Sequence, residues 1–153
     1  MSWTLNSVSN QHGKIAIVTG ANIGLGFETA KGFASKGIEV IMACRNLEKG
    51  IAAMEYIISI HPTANLSVKK LDLNDFVSIR SFASAFLSQH DRLDYLINNA
   101  GIMMPPYQKT KDGFESQFGV NYLGHFLLTG LLLDAIKNTE NFRIVTLSSR
   151  AHK

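Results

Sequence analysis

The chain has 153 residues, 46% of them hydrophobic, and a formal net charge of +3; that is enough apolar material for one ordinary core and too much for a disordered segment. Lysine and arginine are spread along the chain without a basic stripe interleaved with aromatics, so the charge describes a mildly basic surface and argues against a nucleic-acid partner. The lone Cys44 excludes an internal disulfide, no Cys/His set has metal-ligand spacing, and the polar start MSWTLNSVSNQHGK has no apolar signal core; no metal, no membrane span and a cytoplasmic location are therefore expected.

Taken in chain order, Ile15–Val18 is an apolar run without polar alternation, the mark of a strand covered on both faces. It leads into Thr19-Gly20-Ala21-Asn22-Ile23-Gly24-Leu25-Gly26, and then into a helix with Phe27, Ala30, Phe33 and Ala34 on one face and Gly37 as its C-cap. Gly20 permits a tight turn, Gly24 lets backbone approach a ligand, and Gly26 lets the helix pack closely on the strand. Such a turn aims free backbone N–H groups and a helix dipole at one spot, which suits a pyrophosphate. A dinucleotide is the expected ligand; a methyltransferase could use the same strand–turn–helix unit.

The second strand, Glu39–Cys44, closes as Met42-Ala43-Cys44-Arg45-Asn46. A dinucleotide fold that prefers NAD places a carboxylate here to accept from the adenine-ribose hydroxyls. None is present, and a cation at this point pairs with a 2′-phosphate, so Arg45 points to NADP rather than NAD. Its alternative role is that of a solvated residue opening the next helix. That helix puts Leu47, Ile51, Met54 and Ile58 in register and is stopped by His61-Pro62. After a third strand, Leu66–Leu71, Asp72 is either a ligand-side residue or a helix N-cap. A third helix starts near Asn74 or Asp75, with Phe76, Ile79, Ala83 and Phe86 on one face.

The fourth strand, Leu93–Asn98, closes as LINNAGIM, at the carboxyl edge where ligands bind in such sheets. Met103, Met104, Pro105 and Pro106 follow as an apolar loop that either borders a lipophilic substrate or packs on the sheet edge. Asp112 and Glu115 have capping-box spacing and predict a fourth helix from Asp112 to about Lys137. Its stripe of Phe114, Phe118, Asn121, His125, Leu128 and Leu132 would set an amide and an imidazole against the core. Buried polar groups need partners, and His125 reads as a satisfied core histidine. The fifth strand, Phe142–Leu147, precedes Ser148 and Ser149. Strands alternating with helices predict an α/β, Rossmann-type doubly wound parallel sheet, here ending after its fifth strand. Residues 1–13 are expected to form an N-terminal extension and residues 14–153 one NAD(P)-binding domain, expected to be incomplete at its C-terminus.

These residues together resemble the short-chain dehydrogenase/reductase family. Thr19 to Gly26 looks like its T-G-x-x-x-G-x-G turn, Asn98-Asn99-Ala100-Gly101 like its N-N-A-G, and Asp72, Asn121 and Ser149 fall where it places functional residues. The stretches ACRN, NNAGIMMPP, TKDGFE and NYLGHFLLT look most like the retinol-dehydrogenase and WW-domain-oxidoreductase branch. The resemblance implies hydride transfer between a nicotinamide, NADP(H), and the carbon of a small apolar alcohol or carbonyl substrate. It implies cofactor binding by Gly20, Asn22, Ile23, Gly24, Gly26, Arg45, Asn46, Asp72, Leu73, Asn99, Ala100 and Gly101. Ser149 would orient the substrate oxygen, and Asn121 would hold a water in a proton relay. The family's proton-transferring tyrosine and its lysine lie in a Tyr-x-x-x-Lys stretch on the helix after the fifth strand, which this chain is expected to lack, with no earlier tyrosine standing in. A non-catalytic nucleotide-binding or interaction module derived from such an enzyme is the alternative. With the fifth strand at an edge and the apolar face of the fourth helix uncovered, self-association is expected.

Overall fold

The computed structural model describes residues 4–149. Five strands alternate with helices in the order β1 (Ile15–Thr19), α1 (Gly24–Ala34), β2 (Glu39–Cys44), α2 (Leu47–Ile60), β3 (Leu66–Lys70), α3 (Phe76–Leu87), β4 (Tyr95–Asn98), α4 (Gly124–Leu131), α5 (Leu133–Lys137) and β5 (Arg143–Thr146). All strand pairings are parallel, and the sheet runs β3-β2-β1-β4-β5. The strands are the predicted ones, with β1 longer by Thr19 and β3, β4 and β5 trimmed by one or two residues at their ends.

The period-two geometry of the strands splits the core between the two faces of the sheet. Ala16 and Val18 of β1 join Val40 and Met42 of β2 beneath Ala30 and Ala34 of α1 and Ala53 and Ile57 of α2. Ile17, Ile41 and Leu96 point the other way, into a larger cluster with Ile79, Phe82 and Phe86 of α3 and Leu128 of α4. A doubly covered parallel sheet results, which explains why its strands read as unbroken apolar runs.

Two helices differ from the sequence pattern. In α2 the buried face is Gly50, Ala53 and Ile57 rather than Leu47 and Ile51, which are 41% and 42% exposed. The cause is close approach: a Cβ on Gly50 would lie 2.6 Å from Val68 Cγ1 and 3.2 Å from Cys44 Sγ, so small residues face the sheet. The fourth helix does not begin at Asp112. The Asp112 carboxylate is taken by a different element, accepting from Phe76 N at 3.0 Å, at the start of α3. Glu115 starts the helix instead, its two carboxylate oxygens accepting from Gln117 N and Phe118 N, each at 2.8 Å. Those backbone donors hold the Glu115 carboxyl below its ordinary pKa.

From there the chain winds as a π-helical turn over Phe118–Leu123 before tightening into α4. The wider turn rotates the predicted stripe out of register: Val120, His125 and Leu128 are buried, whereas Phe118 is 51% exposed and Asn121 is exposed as well. Pi turns of this kind are rare and often sit at functional sites. Asp75, not Asp72, is the N-cap of α3, accepting from Val77 N and Ser78 N.

Candidate cofactor site

The carboxyl ends of the strands gather at one edge, and the connections leave β1 in one direction and β4 in the other. This is the topological switch point, where open α/β sheets bind their ligands. A crevice of ≈ 350 Å³ lies there. Gly20, Asn22 and Ile23 line it from the glycine turn, Arg45 from the end of β2, Asp72 and Leu73 from the loop after β3, and Asn99, Ala100 and Gly101 from the loop after β4. These are nine of the twelve cofactor residues expected from sequence.

The other three act beside the crevice. Gly24 opens α1 at φ +61°, a left-handed conformation that disfavours any side chain. A Cβ on Gly26 would meet Asn99 Nδ2 at 2.4 Å and Gly20 O at 2.5 Å, so its bareness is what lets α1 seat against the turn. Asn46 caps α2, its Oδ1 accepting from Lys49 N at 2.9 Å. The residue before α1 is Ile23, which has no side-chain acceptor. The first-turn N–H groups of α1 are thus left without a side-chain cap, as an anion site requires. Bare turn, uncapped helix and Arg45 together fit the phosphates of a dinucleotide.

Thr19, the first residue of the T-G-x-x-x-G-x-G turn, has a role that its place in the sequence does not show. It is fully buried, and its hydroxyl oxygen accepts from the backbone N–H groups of Asn99 and Ala100, both at 2.9 Å. On its other side it meets His125 Nε2 at 2.9 Å, while His125 Nδ1 meets Asn121 O at 3.0 Å. A carbonyl only accepts, so Nδ1 carries the proton, and Thr19 donates to the lone pair on Nε2. Burial pushes the His125 pKa below its ordinary value, which favours this neutral tautomer. Asn99 Nδ2 returns a bond to Thr19 O at 2.7 Å. His125 is therefore a satisfied core histidine, and through Thr19 it ties α4 to the turns after β1 and β4.

A second depression of ≈ 480 Å³ shares Asn99, Ala100, Gly101 and Ile102 with the first and extends toward the end of β5. Asn121, Ser148, Ser149 and Met103 line it, so the two expected catalytic residues come together at one pocket. Asn121 holds the loop after β4 with both ends of its amide: Oδ1 accepts from Ile102 N and Nδ2 donates to Ile102 O, each at 2.9 Å. Met104 is 79% exposed at φ +48°, so this part of the apolar loop does not pack on the sheet edge.

One Tyr-x-x-x-Lys spacing does occur, Tyr107 to Lys111, contrary to the expectation that no earlier tyrosine matches. It lies outside the helices; Tyr107 is 78% exposed, and Lys111 Nζ is bound to Asp75 Oδ2 at 2.5 Å. That pairing raises the pKa of Lys111 and lowers that of Asp75, so the lysine serves the start of α3 and not the tyrosine. Among the described residues no tyrosine or lysine lines the pocket of Asn121 and Ser149, and no cluster of His, Cys, Asp or Glu could hold a metal ion. No helix among them is long and apolar enough to cross a membrane.

A parallel sheet in this order, with a glycine turn and an uncapped helix at its switch point, defines a dinucleotide-binding protein of the Rossmann type. Within that class the chain belongs to the short-chain dehydrogenase family, whose sequence pattern matches residues 14–153. It is 54% identical to retinol dehydrogenase 11 of Mus musculus over 140 residues, covering 92% of this chain and 44% of that protein. Against retinol dehydrogenase 12 of Homo sapiens the identity is 51%, with the same coverage of 92% and 44%. The chain thus spans a little under half the length of these curated relatives. Among solved structures, an uncharacterised protein from Mycobacterium paratuberculosis superposes with a TM-score of 0.85 at 45% identity, over 99% of this chain and 52% of that one. A metagenomic short-chain oxidoreductase in complex with NADP superposes at 0.81 with 29% identity, over 93% and 65%.

Proposed function

We propose that the protein is an NADP(H)-dependent oxidoreductase acting on an apolar alcohol or carbonyl compound, and that the described residues form its cofactor-binding part. The observation that carries the cofactor choice is Arg45, which lines the crevice just past β2, between Cys44 and Asn46, where an NAD-selective chain would present a carboxylate. The relatives named retinol dehydrogenase and the neighbour complexed with NADP support the same reading.

When bound, the nicotinamide supplies or accepts the hydride. The chain's own residues then have distinct tasks. The turn Gly20–Gly26 and the first turn of α1 bind the pyrophosphate through backbone donors, and Arg45 pairs with the 2′-phosphate. Asp72 and Leu73 border the adenine end. Asn99 to Gly101, braced by Thr19, would hold the nicotinamide end. Ser149 orients the substrate oxygen at the end of β5, and Asn121 keeps the adjoining loop, and a water, in place for proton transfer. The apolar Met103 and Met104 border the substrate side.

Equilibrium titration of the purified chain with NADPH and NADH tests this reading. NADPH is expected to bind about tenfold or more tightly, the scale of one charge-assisted phosphate contact, and Arg45→Asp is expected to reverse the order. Equal affinities in the unmodified chain would refute the cofactor assignment.

A further inference from the structure

The strand beside Arg45 carries a cation to which the reading above gives no task. Register pairs Cys44 of β2 with Lys70, the last residue of β3. Val68, two residues earlier, packs toward Gly50 of α2, so Lys70 shares that face of the sheet and Lys69 the opposite one. Both lysines are exposed. The Lys70 ammonium does not extend into solvent at random: Nζ donates to the backbone carbonyl of Arg45 at 2.5 Å. One of its three protons is used there, leaving two for another acceptor.

The carboxylates nearest in sequence to this corner are Glu48, in the first turn of α2, and Asp72, which lines the crevice with Arg45; neither forms an ion pair with Arg45 or Lys70. Ion pairs among the described residues are Lys31–Glu28, His90–Glu39, Arg92–Asp94 and Lys111–Asp75, and neither Arg45 nor Lys70 belongs to any of them. The positive end of the α2 dipole, whose N-cap is Asn46, faces the same corner. Two cations and a helix N-terminus, neither cation held in an ion pair among the described residues, suit an anion with several acceptor oxygens. A phosphate monoester is such an anion, and the cofactor presents one at the adenine-ribose end.

We propose that Lys70 is a second specificity-determining cation for the 2′-phosphate, held in reach by its bond to the Arg45 carbonyl. The proposal rests on the NADP reading. It predicts a selectivity set by two cations, Arg45 just past β2 and Lys70 at the end of the adjacent β3, so that removing either one leaves part of the preference.

The test uses adenosine 2′,5′-bisphosphate and 5′-AMP as probes, titrated calorimetrically against the unmodified chain, Lys70→Gln, Lys70→Arg, Lys69→Gln and Arg45→Asp. Lys70→Gln still offers a donor to the Arg45 carbonyl but no charge. It should weaken the bisphosphate by about tenfold and leave AMP unchanged, with Lys70→Arg retaining most of the affinity. Lys69→Gln, on the other face, should change neither. Equal weakening of both probes in Lys70→Gln would mean that the lysine only braces the loop, and unchanged binding of both would mean that it has no part in the site; either result overturns the proposal. If the unmodified chain prefers the bisphosphate and only Arg45→Asp abolishes that preference, the NADP reading stands and the Lys70 assignment falls. If the unmodified chain shows no preference at all, the NADP reading falls, and Lys70 with it.

Discussion

Single atoms decide much of this site. A methyl group added at position 26 would have to occupy space held by Asn99 Nδ2 and Gly20 O, at 2.4 and 2.5 Å. Neither can retreat, because Asn99 Nδ2 is tied to Thr19 O and Gly20 N to Ala43 O. Gly26→Ala is therefore expected to cost about 1–3 kcal/mol as an overpacking change and to abolish tight dinucleotide binding, measured by chemical denaturation and by cofactor titration. His125 gives a pH signature. Its folded-state pKa is depressed by burial below the ordinary 6.5, so the unfolded chain binds the proton more readily. Stability is then fully present above about pH 6.5 and declines as pH falls from there through the folded-state pKa, below which the loss levels off. Protonation at Nε2 also removes the nearer of the two acceptors in reach of the Thr19 hydroxyl, leaving Ile97 O at 3.3 Å. His125→Asn should flatten this limb of the pH profile, read as the urea midpoint at a series of pH values. The role of Thr19 was hidden in the sequence, because the threonine of the glycine turn looks there like the end of a strand. Only its three-dimensional partners, more than seventy residues away, show it as the joint between three elements.

At the scale of elements, the strands were legible because a sheet buried on both faces demands unbroken apolar runs, and Ile15–Thr19 and Glu39–Cys44 have them. The glycine turn was legible for a similar reason, since backbone geometry leaves few residue types to choose from. The start of the fourth helix was not legible. Asp112 and Glu115 have capping-box spacing, yet the Asp112 carboxylate serves Phe76 N, thirty-six positions away, and this competition is a tertiary fact. Nor does a 3.6-residue pattern foresee a π turn, which moved Asn121 from the expected core stripe to the pocket's rim. That displacement matters for function, because it lets the amide clamp Ile102 through both its oxygen and its nitrogen. Asn121→Ala is expected to destabilise the fold by about 1 kcal/mol, the typical net worth of such hydrogen bonds, and to release the loop after β4. Faster amide exchange at Ile102, with the exchange of β1 unchanged, would report it. Asn121→Asp keeps the acceptor and loses the donor, so Ile102 N should remain protected; loss of protection equal to that in the alanine variant would show that the clamp does not depend on the hydrogen bond to Oδ1.

Over the whole molecule, the described surface is uneven. β5 forms one edge of the sheet, and all four of its residues are exposed, with Ile144 at 38% and Val145 at 46%. Phe142 and Leu147 on either side are each 39% exposed. On the neighbouring helical segment Phe118, Tyr122 and Phe126 form a stacked row, with centroids 5.4 and 6.2 Å apart and exposures of 51, 56 and 69%. The opposite edge is unlike this one: β3 ends in two exposed lysines, a common device against edge pairing. An apolar edge strand beside an aromatic row is the part of this chain best suited to bind another copy, since strand pairing satisfies the outer backbone groups while the rings lose water. The 153-residue chain is accordingly expected to self-associate, its sedimentation coefficient rising with protein concentration. Ile144→Lys places a charge on the edge and should shift the distribution toward monomer, with Phe126→Lys adding to that shift from the helical side. Neither residue lines the dinucleotide crevice, so both variants should keep their affinity for NADPH. If Ile144→Lys and Phe126→Lys sediment like the unmodified chain, the contact lies elsewhere; a concentration-independent monomer in the unmodified chain would show that the apolar edge is tolerated in water.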